Sequence, residues 1–263
     1  MSPGAPVAVF DSGLGGLWVL REIRSRLPAE DLLYLADSDW CPYGPRPQLE
    51  IRARSLEIGR WLQAQGAKVL VVACNTASGA ALEALREALE IPVVGMEPAV
   101  KPAVRDTRAR RVGVLATEGT LASERFARLL REHAEGVEVV ARPGTGLVEM
   151  VEEGEFDGAR VRAVLDAALA PFREAAVDTV VLGCTHYPFL WEAIAGVLGP
   201  EVRLVDSAPA IARQTERVLE EQGLGAQGRE GRVRILTTGD SAEVGEVVAR
   251  LWPEPAKVEG VAL

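Results

Sequence analysis

The residues best suited to chemistry follow two short apolar runs, residues 69–73 and 179–182. Cys74 comes directly after the first run, and Cys184 stands just beyond the second, close to His186. A thiolate is a good base and nucleophile and a thiol is a weak acid, so two cysteines can supply one of each. Only three cysteines and two histidines occur among the 263 residues, which makes their placement at these points informative.

Apolar, β-branched runs alternate with amphipathic segments along the chain, which predicts an α/β fold with parallel sheets. Strands are expected at residues 7–10, 32–36, 69–73, 91–95, 112–116, 137–141, 179–182, 202–205 and 233–236. Helices are expected at residues 17–27, 48–65, 79–89, 123–133, 147–153, 157–174, 191–198, 210–222 and 242–251. Ligands bind beyond the carboxyl ends of strands in such sheets, so both cysteines are candidate site residues.

The chain also repeats itself, with a period of about 110 residues. The aligned segments are 7–13 with 112–118, 69–76 with 179–186, and 91–99 with 202–210. We therefore expect two pseudo-symmetric, doubly wound parallel-sheet domains that face each other across an active-site cleft.

The repeat also predicts the division of the chain. The first domain is expected to comprise residues 1–97 and to carry Asp11 and Cys74. The tail, residues 210–263, either returns to this domain, which we favour, or extends from the second. The second is expected to comprise residues 98–209 and to carry Cys184 and His186. The two thiols would then face each other across one cleft, with Asp11 near the first and His186 near the second.

Facing thiols indicate a particular reaction. A substrate between them could lose a proton to one sulfur and gain a proton from the other on its opposite face, which inverts a stereocentre. This is the chemistry of a racemase or epimerase. Six polar side chains near strand ends could bind a carboxylate and an ammonium group: Ser12, Tyr43, Asn75, Thr76, Thr117 and Thr185.

No electron-sink cofactor is expected. Pyridoxal phosphate needs a Schiff-base lysine at a sheet edge or loop, and the three lysines, at positions 68, 101 and 257, do not fit that requirement. The acidity of the substrate's α-carbon must then come from hydrogen bonds and desolvation.

Composition limits the partners and the location. The formal net charge is −9, which argues against nucleic acid and anionic membranes, because both call for basic patches. No apolar run reaches the roughly 18 residues of a membrane-spanning helix, and the first residues lack the pattern of a secretory signal. We therefore expect a cytoplasmic protein with free thiols.

Four motifs together resemble the glutamate racemases of the cofactor-independent aspartate/glutamate racemase superfamily. They are residues 11–16 (DSGLGG), 42–44 (PYG), 73–77 (ACNTA) and 183–188 (GCTHYP). The resemblance extends from about residue 7 to residue 219, in the same motif order. Members of the family usually have a polar and then a hydrophobic residue before the second motif, where this chain has Trp40 and Cys41. That departure concerns the rim of the pocket.

The resemblance implies roles for individual residues. It implies that Cys74 acts on D-glutamate and Cys184 on L-glutamate, with neither a cofactor nor a metal. Three further residues are implied to assist proton transfer: Asp11, His186 and a glutamate for which we favour Glu152 over Glu153. The implied substrate-binding residues are Asp11, Ser12, Pro42, Tyr43, Gly44, Asn75, Thr76, Thr117, Thr185 and His186.

The resemblance also implies a biological setting: D-glutamate production for bacterial peptidoglycan, by an enzyme that forms a homodimer. Other members of the superfamily, namely aspartate or hydantoin racemases and maleate-type isomerases, remain alternatives. So does a non-catalytic, flavodoxin-like protein that binds a small anion, and so does a thiol hydrolase with Cys184 and His186 as its dyad.

A dinucleotide loop is disfavoured because residues 11–16 are not GxGxxG. A metal set of Cys74, Cys184 and His186 is disfavoured because it lacks paired ligand spacing. Cys41 is expected to be structural.

Overall fold

The computed structural model of the protein describes residues 2–263. Its strands are, in chain order, β1 Val7–Asp11, β2 Leu32–Ala36, β3 Val69–Val72, β4 Val93–Gly95, β5 Arg111–Ala116, β6 Glu138–Pro143, β7 Thr179–Gly183, β8 Arg203–Val205, β9 Val233–Thr237 and β10 Val258–Gly260. They form a six-stranded sheet in the order β10-β9-β2-β1-β3-β4 and a four-stranded sheet in the order β6-β5-β7-β8. All the strand pairs are parallel.

Helices connect the parallel strands. They are α1 Leu17–Arg26, α2 Gln48–Ala64, α3 Asn75–Ala88, α4 Val100–Asp106, α5 Glu118–Leu121, α6 Glu124–His133, α7 Leu147–Glu152, α8 Ala159–Glu174, α9 Trp191–Leu198, α10 Ala208–Glu221 and α11 Ser241–Leu251. Two 3-10 turns, Ser38–Trp40 and Tyr187–Leu190, complete the regular structure. Among residues 2–263, none of these helices is both long and apolar enough to cross a bilayer.

The two sheets repeat one topology. The order β2-β1-β3-β4 in the first sheet matches β6-β5-β7-β8 in the second, position for position. The aligned sequence segments fall on these equivalent strands: β1 with β5, β3 with β7, and β4 with β8. The predicted fold class, two doubly wound parallel-sheet α/β domains, is confirmed.

The central strands are buried on both faces, which explains why they read as continuous apolar runs. In β1, Val7 and Val9 pack into one core cluster while Ala8 and Phe10 pack into another, because alternate residues point to opposite faces. The first of these clusters extends into the second sheet through Leu182 and its neighbours. The two halves therefore share part of their core.

The chain after the second sheet returns to the first. Helix α10 packs against α1, and β9 and β10 add to the first sheet beside β2. The sequence did not predict β10, α4 or α5, which are three to seven residues long.

One predicted boundary is wrong in a way that matters for the site. We expected a helix from residue 79, but α3 begins at Asn75. The Cys74 sulfur accepts a hydrogen bond from the Ala77 N–H at 3.4 Å and so acts as the N-cap. Gly79 lies inside the helix, where its missing side chain admits Ser123. Cys74 is thus held at a helix N-terminus.

Candidate active site

Cys74 and Cys184 line the same cavity. Each follows a central strand, β3 or β7, at the carboxyl edge of its sheet, and each is at most 6% exposed. The cavity between them is small. Its lining residues are Ser12, Pro42, Tyr43, Gly44, Cys74, Asn75, Thr76, Thr117, Val148, Cys184, Thr185 and His186. All the predicted substrate-binding residues except Asp11 are in this set.

The Cys74 thiol sits among hydroxyl and backbone groups of the first sheet. It donates to Ser12 Oγ at 3.5 Å, and its sulfur accepts from the Ala77 N–H. Burial raises its pKa to about 12, and the negative charge of Asp11 adds to that rise. The helix N-terminus and the Ser12 hydroxyl act in the opposite direction. Cys74 therefore rests as a thiol, the acid form.

Asp11 ends β1 and is fully buried beneath the cavity. Its Oδ1 accepts from the Gly13 N–H at 3.0 Å, and its Oδ2 accepts from the Thr185 hydroxyl of the second domain at 3.0 Å. Burial raises the pKa of this carboxyl, although His186 and both hydrogen bonds lower it. A carboxyl with a raised pKa is better matched to proton transfer near neutral pH.

The Cys184 thiol has an imidazole partner instead. Its sulfur lies 3.6 Å from His186 Nδ1, and His186 Nε2 lies 2.6 Å from Glu152 Oε1. Burial alone would lower the pKa of His186. Hydrogen bonds with Cys184, Cys41 and Glu152 outweigh burial and raise that pKa well above its ordinary value.

His186 has a partner in both of its protonation states. A protonated Nε2 donates to Glu152 Oε1, whereas an unprotonated Nε2 accepts from the Gly15 N–H at 3.2 Å. Glu152 Oε1 also accepts from the Leu14 N–H at 2.6 Å, so it keeps its position when the imidazole loses the proton. The arrangement suits a group that passes a proton back and forth.

Glu152 ends α7 and is the glutamate beside the histidine. Glu153 points elsewhere and pairs with Arg160 at 2.8 Å on the surface. Glu152 reaches across the cleft, since Leu14 belongs to the loop after β1.

Two glycines permit this crossing. A Cβ on Gly13 would collide with Glu152 and Cys41, and a Cβ on Gly15 would collide with His186 and Thr185. The glycine-rich loop after β1 therefore serves the close approach of the two domains, with no need for a nucleotide.

The remaining polar groups meet at the junction of the two domains. Thr76 Oγ1 lies 2.7 Å from Thr117 Oγ1 and 3.3 Å from Thr120 Oγ1. The Asn75 Oδ1 atom is buried without a hydrogen-bond partner among residues 2–263, and Asn75 lines the cavity. Thr120 is a further polar residue at this junction that the sequence did not predict as a site residue, because it lies inside the short helix α5.

The segment of Pro42, Tyr43 and Gly44 lines the cavity, but the Tyr43 hydroxyl does not face it. That hydroxyl donates to Asp37 Oδ2 at 2.6 Å, behind the loop. Tyr43 is thus available to a ligand only through its ring and backbone. A wider recess adjoins the cavity and shares Pro42, Gly44, Thr117 and Val148 with it.

Cys41, which was expected to be structural, lies against the proton-handling residues. Its sulfur, Glu152 and His186 present ligand atoms within 4.8 Å of one another. Burial and the charge of Glu152 raise the pKa of Cys41 to about 12. Zinc accepts such ligands, yet the Leu14 and Gly15 N–H groups already donate to the Glu152 and His186 atoms that would have to bind the metal. The cluster is better suited to holding protons.

Two like parallel-sheet domains with a thiol from each at one cavity define an isomerase of the two-domain racemase type. The chain belongs to the Asp/Glu/Hydantoin racemase family, whose model matches residues 18–215. It is 48% identical over 260 residues to glutamate racemase from Cupriavidus pinatubonensis, with 98% of this chain and 96% of that protein covered.

Solved structures agree with this assignment. The crystal structure of a glutamate racemase isoform from Bacillus anthracis superposes with a TM-score of 0.89 at 35% identity, covering 98% of each chain. Glutamate racemase from Francisella tularensis, crystallised with D-glutamate, gives a TM-score of 0.88 at 30% identity and covers 99% of this chain and 98% of that chain.

Proposed function

We propose that this chain interconverts L-glutamate and D-glutamate by two-base proton transfer, without a cofactor, and that its product D-glutamate supplies peptidoglycan synthesis. The observation that carries the proposal is the pair of buried thiols at equivalent strand ends on one cavity. The glutamate racemase relatives support glutamate as the substrate.

In the proposed reaction, one sulfur acts as a thiolate and takes the α-proton of glutamate. The other, still a thiol, gives its proton to the opposite face of the resulting carbanion, so one C–H bond breaks and one forms. Cys74 is the base toward D-glutamate, and Cys184 is the base toward L-glutamate. Each turnover exchanges the protonation states of the two sulfurs, and the reverse reaction or proton exchange with solvent restores them.

Asp11 and His186 are the proposed helpers of the two thiols. His186 sits 3.6 Å from the Cys184 sulfur and can pass a proton to or from it, with Glu152 supporting the protonated ring. Asp11 influences Cys74 through its charge. Desolvation assists the chemistry, because both sulfurs and both helpers are at most 6% exposed.

The substrate-binding set is proposed as a whole: Asp11, Ser12, Pro42, Tyr43, Gly44, Asn75, Thr76, Thr117, Thr185 and His186. Hydroxyl groups, the Asn75 amide and the N–H groups at the start of α3 can hold carboxylates. An ammonium group can be held by Asp11 and neighbouring hydroxyls.

We further propose domains of residues 1–97 with 210–263 and of residues 98–209, a division supported by the strands that each range gives to each sheet. We propose a cytoplasmic location, because a reducing compartment keeps a pair of catalytic thiols free. The homodimer implied by family resemblance stays a prediction, and light scattering of the purified chain will test it.

The function is tested by incubating the protein with L-glutamate, without added cofactor, and following the optical rotation of the solution over time. Glutamate should racemise completely, and aspartate should react far more slowly. Racemisation of aspartate alone would assign the chain to another branch of the family. Optical stability of both amino acids would contradict the proposal.

A further inference from the structure

A fully occupied carboxylate lies behind the substrate-binding loop. Asp37 follows β2, is completely buried, and takes no part in the proposed chemistry. Its Oδ1 accepts from Arg54 Nη2 at 2.7 Å and from the Thr238 hydroxyl at 2.9 Å. Its Oδ2 accepts from Arg54 Nε at 3.0 Å and from the Tyr43 hydroxyl at 2.6 Å. A carboxylate has about four acceptor positions, and all are used.

These partners come from separate parts of the chain. Arg54 belongs to α2, is 6% exposed, and contacts Asp37 through two parallel hydrogen bonds, the most directional form of ion pair. Thr238 follows β9 in the returning tail. Tyr43 belongs to the loop that lines the cavity. Asp37 thus ties the loop to a helix and to a sheet edge.

The Tyr43 side chain is held at both ends. Burial raises the pKa of its phenol, and the charge of Asp37 raises it further, so the hydroxyl keeps its proton and donates it. The ring packs against Phe10, with the ring centroids 6.3 Å apart. Arg54 also lies over the Trp40 ring, 5.2 Å from its centroid, and so fixes the start of the loop.

The loop in turn reaches the other domain. Gly44 O accepts from the Gly119 N–H at 3.1 Å, next to Thr117 on the far wall of the cavity. A shift of Tyr43 would move Pro42 and Gly44 with it, and would widen the cavity between the two domains.

We propose that Asp37 and Arg54 are positioning residues that set the affinity for the substrate by holding residues 42–44 against the cavity. The proposal rests on the proposed glutamate racemisation. Residues 42–44 line the cavity, and within residues 2–263 they make no hydrogen bond to either sulfur. The loop touches the proton-handling residues through Cys41, which lies beside His186 and Glu152 and whose loss should cost only about two- to threefold in kcat. The substrate and transition state should therefore lose nearly the same contacts. Loss of the buried Asp37–Arg54 pair, called the hub below, should therefore raise KM and leave kcat nearly unchanged.

Asp37→Asn and Arg54→Lys test this in the full-length protein. Each should raise KM for both glutamate enantiomers by about tenfold or more while kcat stays within about threefold of wild type. The matched control is Glu30→Gln. Glu30 is a buried carboxylate at the opposite edge of the same sheet, paired with Lys68 at 2.5 Å and with the Ala226 N–H at 2.7 Å. It should lower Tm without changing KM.

Coupling to the loop is tested with Tyr43→Phe, alone and combined with Asp37→Asn. If Asp37 acts through the Tyr43 hydroxyl, the double variant should have the KM of Asp37→Asn alone. If the increases in KM of the two single variants multiply in the double variant, Asp37 does not act through the Tyr43 hydroxyl, and the proposal is overturned. A fall in Tm with unchanged KM in Arg54→Lys and Tyr43→Phe would reduce the hub to a structural role, even if Asp37→Asn did not fold.

A loss of kcat at constant KM would also contradict the proposal. Failure of the wild-type protein to racemise glutamate would refute the proposed function by itself. Calorimetric titration of the same variants with L-glutamate would then still measure whether the hub sets affinity.

Discussion

The two halves of the molecule place a sulfur at equivalent strand ends but surround it differently. Cys74 caps a 14-residue helix and has a carboxyl, Asp11, as its charged neighbour. Cys184 is followed by a short 3-10 turn, Tyr187–Leu190, and has an imidazole 3.6 Å away. The repeat therefore preserves the position of the acid/base atom while the helper differs.

The unlike neighbours favour unlike protonation states of the two sulfurs. Burial, with the charge of Asp11 as a smaller contribution, keeps Cys74 protonated, whereas a cationic imidazole stands beside Cys184. Taken alone, Cys184, His186 and Glu152 resemble the nucleophile, base and orienting group of a thiol hydrolase. The presence of Cys74 on the same cavity changes that interpretation, because a hydrolase has no use for a second thiol there.

The largest effect should come from removing either sulfur. Cys74→Ala and Cys184→Ala should each lower the rate of racemisation by about 10³-fold or more, since each removes an acid/base group that acts in both directions. Chiral chromatography of reactions started from each enantiomer measures the loss. Full racemase activity in Cys74→Ala would contradict the two-base mechanism.

Substitution of Asp11 or His186 should affect the two enantiomers of glutamate differently. Asp11→Asn should lower kcat more for D-glutamate, and His186→Asn should lower it more for L-glutamate, each by about 10- to 100-fold. The ratio kcat/KM must stay equal for the two enantiomers, because the equilibrium constant of a racemisation is unity. Identical kcat losses in both directions would show that the helpers are not assigned to separate thiols.

Glu152→Gln should have a smaller effect, confined to the Cys184 side. Without the carboxylate, the pKa of His186 should fall and kcat should drop by about tenfold. Only two histidines are present, so NMR titration can follow His186 with His133 as the reference signal. Glu153→Gln is the matched control, because Glu153 pairs with Arg160 on the surface. An unchanged His186 titration in Glu152→Gln would contradict the role of Glu152.

The raised pKa of His186 also determines how the stability of the protein depends on pH. The pKa of His186 is higher in the folded protein than the ordinary value of about 6.5. Its contribution to stability is therefore fully present below about pH 6.5 and is lost as pH rises through the raised folded pKa. Glu152→Gln should flatten that part of the curve of unfolding free energy against pH.

The smallest effect should come from Cys41. Cys41→Ala removes a hydrogen-bond partner of His186 but no acid/base group, so we expect kcat to fall by only about two- to threefold. Steady-state rates and the His186 titration measure this. A loss as large as that of Cys184→Ala would place Cys41 in the proton path.

The fold class could be predicted from the sequence, because apolar strand runs and glycine turns are local signals and the repeat is visible by aligning the chain with itself. Cys74 and Cys184 follow from the repeat, since equivalent strand ends must lie at equivalent sheet edges. The start of α3 at Asn75 was missed because a cysteine is an unusual N-cap.

Other features depend on contacts between distant segments. Cys41 meets His186 only because the loop after β2 folds over the loop after β1. Asp37 could have been suspected, since it follows a strand just as Asp11 does, but its partners Arg54 and Thr238 come from elsewhere in the chain. No periodicity in the sequence records which acidic residue faces the cavity and which is enclosed behind it.

We propose that the two thiols act on opposite faces of one carbon atom. This proposal is tested most directly by the early course of the reaction in D₂O, starting from L-glutamate and analysing each enantiomer by mass. With two bases, the D-glutamate formed should carry deuterium at its α-carbon while the remaining L-glutamate carries almost none. Equal deuterium in both enantiomers from the start would mean that a single base serves both faces, and would contradict the two-base mechanism.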